Sequence, residues 1–154
     1  INETIFHKIV RGEVPCHKVW EDEKFLAFLS IFPNTEGVTV VIPKEYQSSY
    51  FADVDDTTLS ELIIASKKVA KILDARLDNV GRTAFVFEGF GVDYLHAKLF
   101  PMHGTGDMKE WKPIESQNLK DVYFEKYPGY ISSHDAKEVS KEILVALAAK
   151  LRGK

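Results

Sequence analysis

Within the stretch Tyr94-Leu95-His96-Ala97-Lys98, three side chains with usable chemistry stand two residues apart. A strand sends alternate residues to opposite faces, so Tyr94, His96 and Lys98 would share one face and Leu95, Ala97 and Leu99 the other. A neutral imidazole, with an ordinary pKa of about 6.5, can attack phosphorus and form a phosphoramidate that water later cleaves. Lys98 on the same face would lower the His96 pKa by like-charge repulsion and offer its ammonium to the phosphate. Tyr94 could donate a hydrogen bond. Just upstream, Gly89 and Gly91 would let the backbone approach a phosphate closely. The same pattern also fits a plainer arrangement, an apolar core face backed by a solvent-facing one that happens to hold a histidine. Periodicity alone favours that plainer arrangement.

The elements that must position these residues are written around them. Ile5, Phe6, Ile9 and Val10 recur at helical spacing before Gly12 and Pro15, which predicts a short opening helix. β-Branched and aromatic residues cluster between turn signals at roughly 17–21, 24–30 and 37–42, predicting three strands joined by short turns and paired antiparallel. Leu59, Leu62, Ile63, Ser66, Val69, Ala70 and Leu73 form a helical stripe, with Asp55 or Asp56 as N-cap, over 55–77. Thr83–Gly89 and Tyr94–Phe100 read as two further strands, the second ended by Pro101. Residues 104–134, of mixed polarity, read as a long loop, a kind of segment often used as a lid or dimer arm. From Asp135, Val139, Ile143, Leu147 and Leu151 share a helical face, and Arg152 and Lys154 stand where a helix dipole favours cations.

A chain of 154 residues suits one domain with one core. A core spanning 1–103 and a C-terminal extension over 104–154 are the expected parts. The formal net charge of −3 supplies no broad basic field, which argues against nucleic acid or an anionic membrane as partner. Cys16 is the only cysteine, which excludes an intramolecular disulfide and suits a reducing compartment; the cytoplasm is expected. The longest apolar runs, 38–42 and 143–149, fall far short of the roughly 20 residues of a membrane span.

Beyond the strand itself, the order of several segments is similar to the histidine-triad family of nucleotide hydrolases and transferases, whose signature is His-x-His-x-His on a strand. Thr4–Pro15 resembles the family's opening segment, and Val19–Lys44, ending in Val-Ile-Pro-Lys, resembles its next one. His96 then falls at the middle, nucleophilic position, with Tyr94 and Lys98 where the flanking histidines would be. Two further family histidines correspond to Val38 and Tyr46. About a hundred residues are covered.

The resemblance implies an α+β fold, with an antiparallel sheet of about five strands and a packed helix, usually assembled as a homodimer. It implies a purine nucleotide of the AMP or GMP type as substrate, its base between Phe6, Ile9, Phe28 and Ile31. Ser30 stands where the family's ribose-binding acid would be and offers no bidentate carboxylate. Gly91 aligns with a serine that contacts the phosphate in many members. Leaving-group protonation would then fall to Lys98, His103 or a residue of 104–134. Structural zinc in the family uses cysteines that correspond here to Thr4 and His7. With at least two ligands missing and no histidine pair at i, i+4, no metal site and no resident cofactor are expected. Magnesium could accompany a polyphosphate substrate. The implied activity is that of a nucleotide phosphoramidase or dinucleoside polyphosphate hydrolase working through a nucleotidyl-histidine on His96. The alternative is a nucleotide-binding scaffold that keeps the fold without turnover. Processing of nucleic-acid ends is a third, weaker implication, opposed by the acidic charge.

Overall fold

Asp55 sets the start of the longest helix: its carboxylate accepts the Thr58 N–H at 2.9 Å, satisfying one of the free donors of the first turn. The helix, α2, runs Asp56–Arg76 and buries Leu62, Ala65, Ser66, Val69 and Leu73. The expected stripe is therefore rotated slightly, and Ile63 is exposed. The shorter α1, Ile5–Val10, begins at Thr4, whose N–H donates to the His7 ring, and ends at Gly12 with φ of +76°.

These elements come from a computed structural model that describes residues 2–110, 123–126, 142, 145 and 146. The chain divides into two units, Ile1–Trp111 and Lys112–Lys154. In the first, five antiparallel strands form one sheet: β1 Lys18–Glu21, β2 Phe25–Leu29, β3 Thr39–Pro43, β4 Val80–Val86 and β5 Ala97–His103. Their spatial order is β1-β2-β3-β5-β4, so β5 lies between β3 and β4 and the residue that leads into it, His96, enters the middle of the sheet. The α+β fold expected from the sequence, an antiparallel sheet of five strands with a packed helix, is what forms.

Each face of the sheet is buried differently. Phe25, Ala27, Val41, Leu95, Ala97 and Leu99 pack with α2. Leu26, Phe28, Val40, Ile42 and Tyr94 pack with Phe6 of α1. Burial on both sides explains why β3 reads as a continuous apolar run rather than an alternating one. It also corrects the expectation of a solvent-facing side in the motif stretch. The alternation is right, but Tyr94 and His96 are 1% and 3% exposed because α1 covers them.

Pro101 does not end β5, which continues to His103. Pairing with β3 stops at Thr39 and Leu99, so the strand beyond has an open side on which a missing N–H costs no ladder bond. After β5 the chain turns at Gly104 and makes a 3-10 turn at Met108–Glu110, both inside the first unit. Most of the expected 104–134 loop and of the expected C-terminal helix lies outside the described residues; Glu142, Val145 and Ala146 are helical. Among the described residues no helix is long and apolar enough to cross a membrane.

Candidate active site

His96 is held by the backbone that precedes it. Leu95 N–H donates to Gln47 O at 2.9 Å and Tyr94 N–H to Val92 O at 2.8 Å, which fixes the chain just before β5. The Nδ1 atom of His96 lies 2.7 Å from the carbonyl oxygen of Tyr94. A carbonyl only accepts, so Nδ1 carries the hydrogen and the lone pair of a neutral ring sits on Nε2. Nε2 has no hydrogen-bond partner among the described residues. Among the described residues no buried side-chain nitrogen or oxygen is left unpartnered, so Nε2 reaches solvent. The edge of Phe6 meets the ring at 5.4 Å and 77°. Burial, more than any other cause, lowers the His96 pKa from its ordinary value; Lys98 pushes the same way, while the Tyr94 carbonyl and Glu88 oppose.

Tyr94 does not present its hydroxyl to this ring. That group donates to Pro43 O at 2.6 Å, and its 1% exposed side chain packs edge-on against Phe6, His7 and Tyr46. Burial pushes its pKa up to about 12, so it stays neutral. The expected hydrogen-bond role at position 94 thus passes from the side chain to the backbone carbonyl. Lys98 does share the face of His96 and forms an ion pair with Glu88 at 2.9 Å.

Of the residues expected to line the base, Phe6 and Phe28 come together with their centroids 5.5 Å apart, and Ile9 packs on the same cluster. Phe28, Val40 and Lys98 lie side by side across β2, β3 and β5, which connects that apolar wall to the cation. Ile31, past the end of β2, is 71% exposed and forms no part of the wall. Ser30 beside it accepts the Phe32 N–H at 3.2 Å, in its own turn. Gly89 and Gly91 take φ of +68° and +88°, a conformation that glycine adopts freely, in the connection between β4 and β5. His103 is not brought in. It ends β5, seven residues from His96 and about 23 Å along an extended strand, and its Nε2 lies 2.9 Å from Glu36 O.

Glu88 was not expected. Its signal lies in the register: Val86, the last residue of β4, pairs with Lys98, so the chain just beyond it, where Glu88 stands, runs alongside the start of β5, and the Glu88 carboxylate reaches the Lys98 ammonium. Without the β4–β5 alignment that relation is invisible. The His7 ring stacks on Tyr46 at 4.9 Å and fastens α1 to the segment after β3. Among the described residues, no three His, Cys, Asp or Glu side chains cluster as metal ligands would.

Residues 11–103 match the HIT domain model. The adenosine 5'-monophosphoramidase of Schizosaccharomyces pombe is 34% identical over 143 residues, covering 90% of this chain and 94% of that one. An uncharacterised HIT-like protein of Methanocaldococcus jannaschii is 33% identical over 126 residues, 77% of this chain and 94% of its own. Among solved structures, a HIT family protein from Bacillus anthracis superposes with a TM-score of 0.60 at 28% identity, covering 97% of this chain and 94% of that chain. With a matching domain that spans His96 and the strand it leads into, and a relative aligned along nearly the whole chain, this protein belongs to the HIT family.

Proposed function

We propose that the protein is a nucleotide hydrolase that cleaves a phosphoramidate or phosphoric anhydride bond of a purine nucleotide through a nucleotidyl-His96 intermediate. The observation that carries this reading is the hydrogen bond from Nδ1 to the Tyr94 carbonyl. It leaves a solvent-reaching Nε2 lone pair on a ring that burial keeps neutral. The S. pombe relative is an adenosine 5'-monophosphoramidase, which supports the substrate class.

In this reading Nε2 attacks the α-phosphorus, forming a P–N bond as the bond to the leaving nitrogen or oxygen breaks. The Lys98 ammonium and backbone amides near Gly89 and Gly91 take up the charge that develops on the phosphoryl oxygens. Lys98 gives a proton to the leaving group and regains one from the water that then attacks phosphorus. That second step breaks the P–Nε2 bond and releases the nucleoside monophosphate and a neutral ring. The base rests against Phe6, Ile9 and Phe28. No resident metal enters this scheme, and magnesium would come only with a polyphosphate substrate.

Incubating the protein with an adenosine phosphoramidate and quenching at low pH should yield an AMP adduct on His96 by mass spectrometry. His96→Ala should lose both adduct and turnover. Undiminished hydrolysis by that variant would sink the nucleophile assignment. A second reading, nucleotide binding without turnover, is favoured by one observation: Ser30 offers no carboxylate, and its hydroxyl accepts the Phe32 N–H within its own turn. It expects saturable AMP or GMP binding by calorimetry with no adduct.

A further inference from the structure

We propose that Glu88 is a positioning residue of the His96 site: its carboxylate holds the Lys98 ammonium beside the ring, so that an incoming phosphate meets a cation already aimed. The proposal rests on the reading that His96 attacks phosphorus. A lysine carries its charge on a flexible four-carbon stem, and ordering that stem only when substrate arrives would cost rotamer entropy at that moment.

The geometry fits an anchor better than a surface ion pair. The Glu88 side chain is 7% exposed against 29% for Lys98, and the two groups are 2.9 Å apart. A carboxylate that far from water requires a partner, so the pair is not one of the loose contacts of an exposed surface. Its backbone is clamped from the next residue. Ser49 Oγ donates to Gly89 O at 3.1 Å, and a Cβ at Gly89 would come 3.3 Å from Ser49 O. Glu88 stands two residues past the last ladder pair, Val86 with Lys98, and its charge acts on the ring as well as on the ammonium.

Among the described residues two charged groups act on His96: Lys98 from β5, and Glu88 from the segment that follows β4. From α1 the ring meets the apolar edge of Phe6, while His7 is turned to Tyr46 and Tyr94; β3 presents the apolar Val40 and Ile42 on that face. Lys98 and Glu88 act in opposite directions on the ring, so removing either should move its titration in a sense known beforehand.

The test reads the His96 imidazole by NMR titration in the ligand-free protein and follows turnover of an adenosine phosphoramidate. Glu88→Gln should lower the titration midpoint, Lys98→Met should raise it, and Glu88→Asp should keep it near that of the unsubstituted protein. In turnover, Glu88→Gln should reduce kcat on the order of tenfold in the unsubstituted background and not at all further in the Lys98→Met background. An unmoved midpoint in Glu88→Gln, or an equal loss of kcat in both backgrounds, overturns the proposal. Should Glu88→Gln fail to fold, Lys98→Met decides alone, because a midpoint that does not rise shows that the pair does not act on the ring. If the unsubstituted protein has no turnover, the catalytic reading falls, while the titration still decides the place of Glu88.

Discussion

Burial and a backbone carbonyl act on His96 in opposite directions, and burial is the stronger. Because its folded-state pKa lies below the ordinary value of about 6.5, the unfolded chain binds more protons than the folded one between the two values. The stability associated with the neutral ring is therefore fully present above about pH 6.5 and is lost as pH falls through the folded pKa. Denaturant unfolding of His96→Asn should accordingly show a shallower loss of stability on acidification than the unsubstituted protein. The acid limb of kcat/KM should also lie below about pH 6.5; a limb at or above it would contradict a desolvated nucleophile. Tyr94 gives a second expectation. Tyr94→Phe removes the donor to Pro43 O and should cost about 1 kcal/mol of stability. The Nδ1–H tautomer of His96, read by 15N NMR, should persist, because the carbonyl of residue 94 and not the hydroxyl fixes it. The sequence could show that positions 94, 96 and 98 share a face, but not that the first acts through its backbone, since a carbonyl has no signature in residue type.

At the scale of elements, α1 decides whether the motif face is wet or dry. Six residues make a marginal helix by themselves, and this one is held by Phe6 against Phe28, Tyr94 and His96 and by the His7 stack on Tyr46. Phe6→Ala should destabilise the fold by about 3 kcal/mol in denaturant titration. It should also raise the His96 pKa toward its ordinary value by letting water in. An unchanged titration would mean that Phe6 does not desolvate the ring. The helices and strands themselves were legible because each is amphipathic or bounded by turn residues: Asp55 before α2, Gly12 after α1, Asp22 between β1 and β2. What was not legible is which strands become neighbours. The placement of β5 between β3 and β4 buries His96 and brings Glu88 to Lys98, and both follow from pairing distant in sequence. Pro101 shows the same limit, since whether a proline ends a strand depends on whether the neighbouring strand still runs beside it.

For the molecule as a whole, the edge formed by β4 makes a concrete case for the homodimer that the family resemblance implies. An unpaired strand edge is a liability that folds cover or pair. Here the first part is covered from within: Thr105 Oγ1 accepts the N–H groups of Gly81 and Arg82, and a Cβ at residue 81 would lie 2.3 Å from Thr105 O, so only glycine permits that approach. Among the described residues no strand lies beyond the remaining part, Thr83–Val86, which carries the exposed Phe85, and α2 beside it exposes Ile63 and Ile64. Apolar residues left bare next to an open edge suit a two-fold partner presenting the same surface. Sedimentation equilibrium should then give twice the 17.5 kDa of the chain, and Phe85→Glu combined with Ile64→Glu should return it to a single chain. Amide protons of Thr83–Val86 that point away from β5 should exchange slowly in the parent and rapidly in the double variant. A mass of one chain at concentrations of tens of micromolar, with fast exchange along that edge, would rule the pairing out.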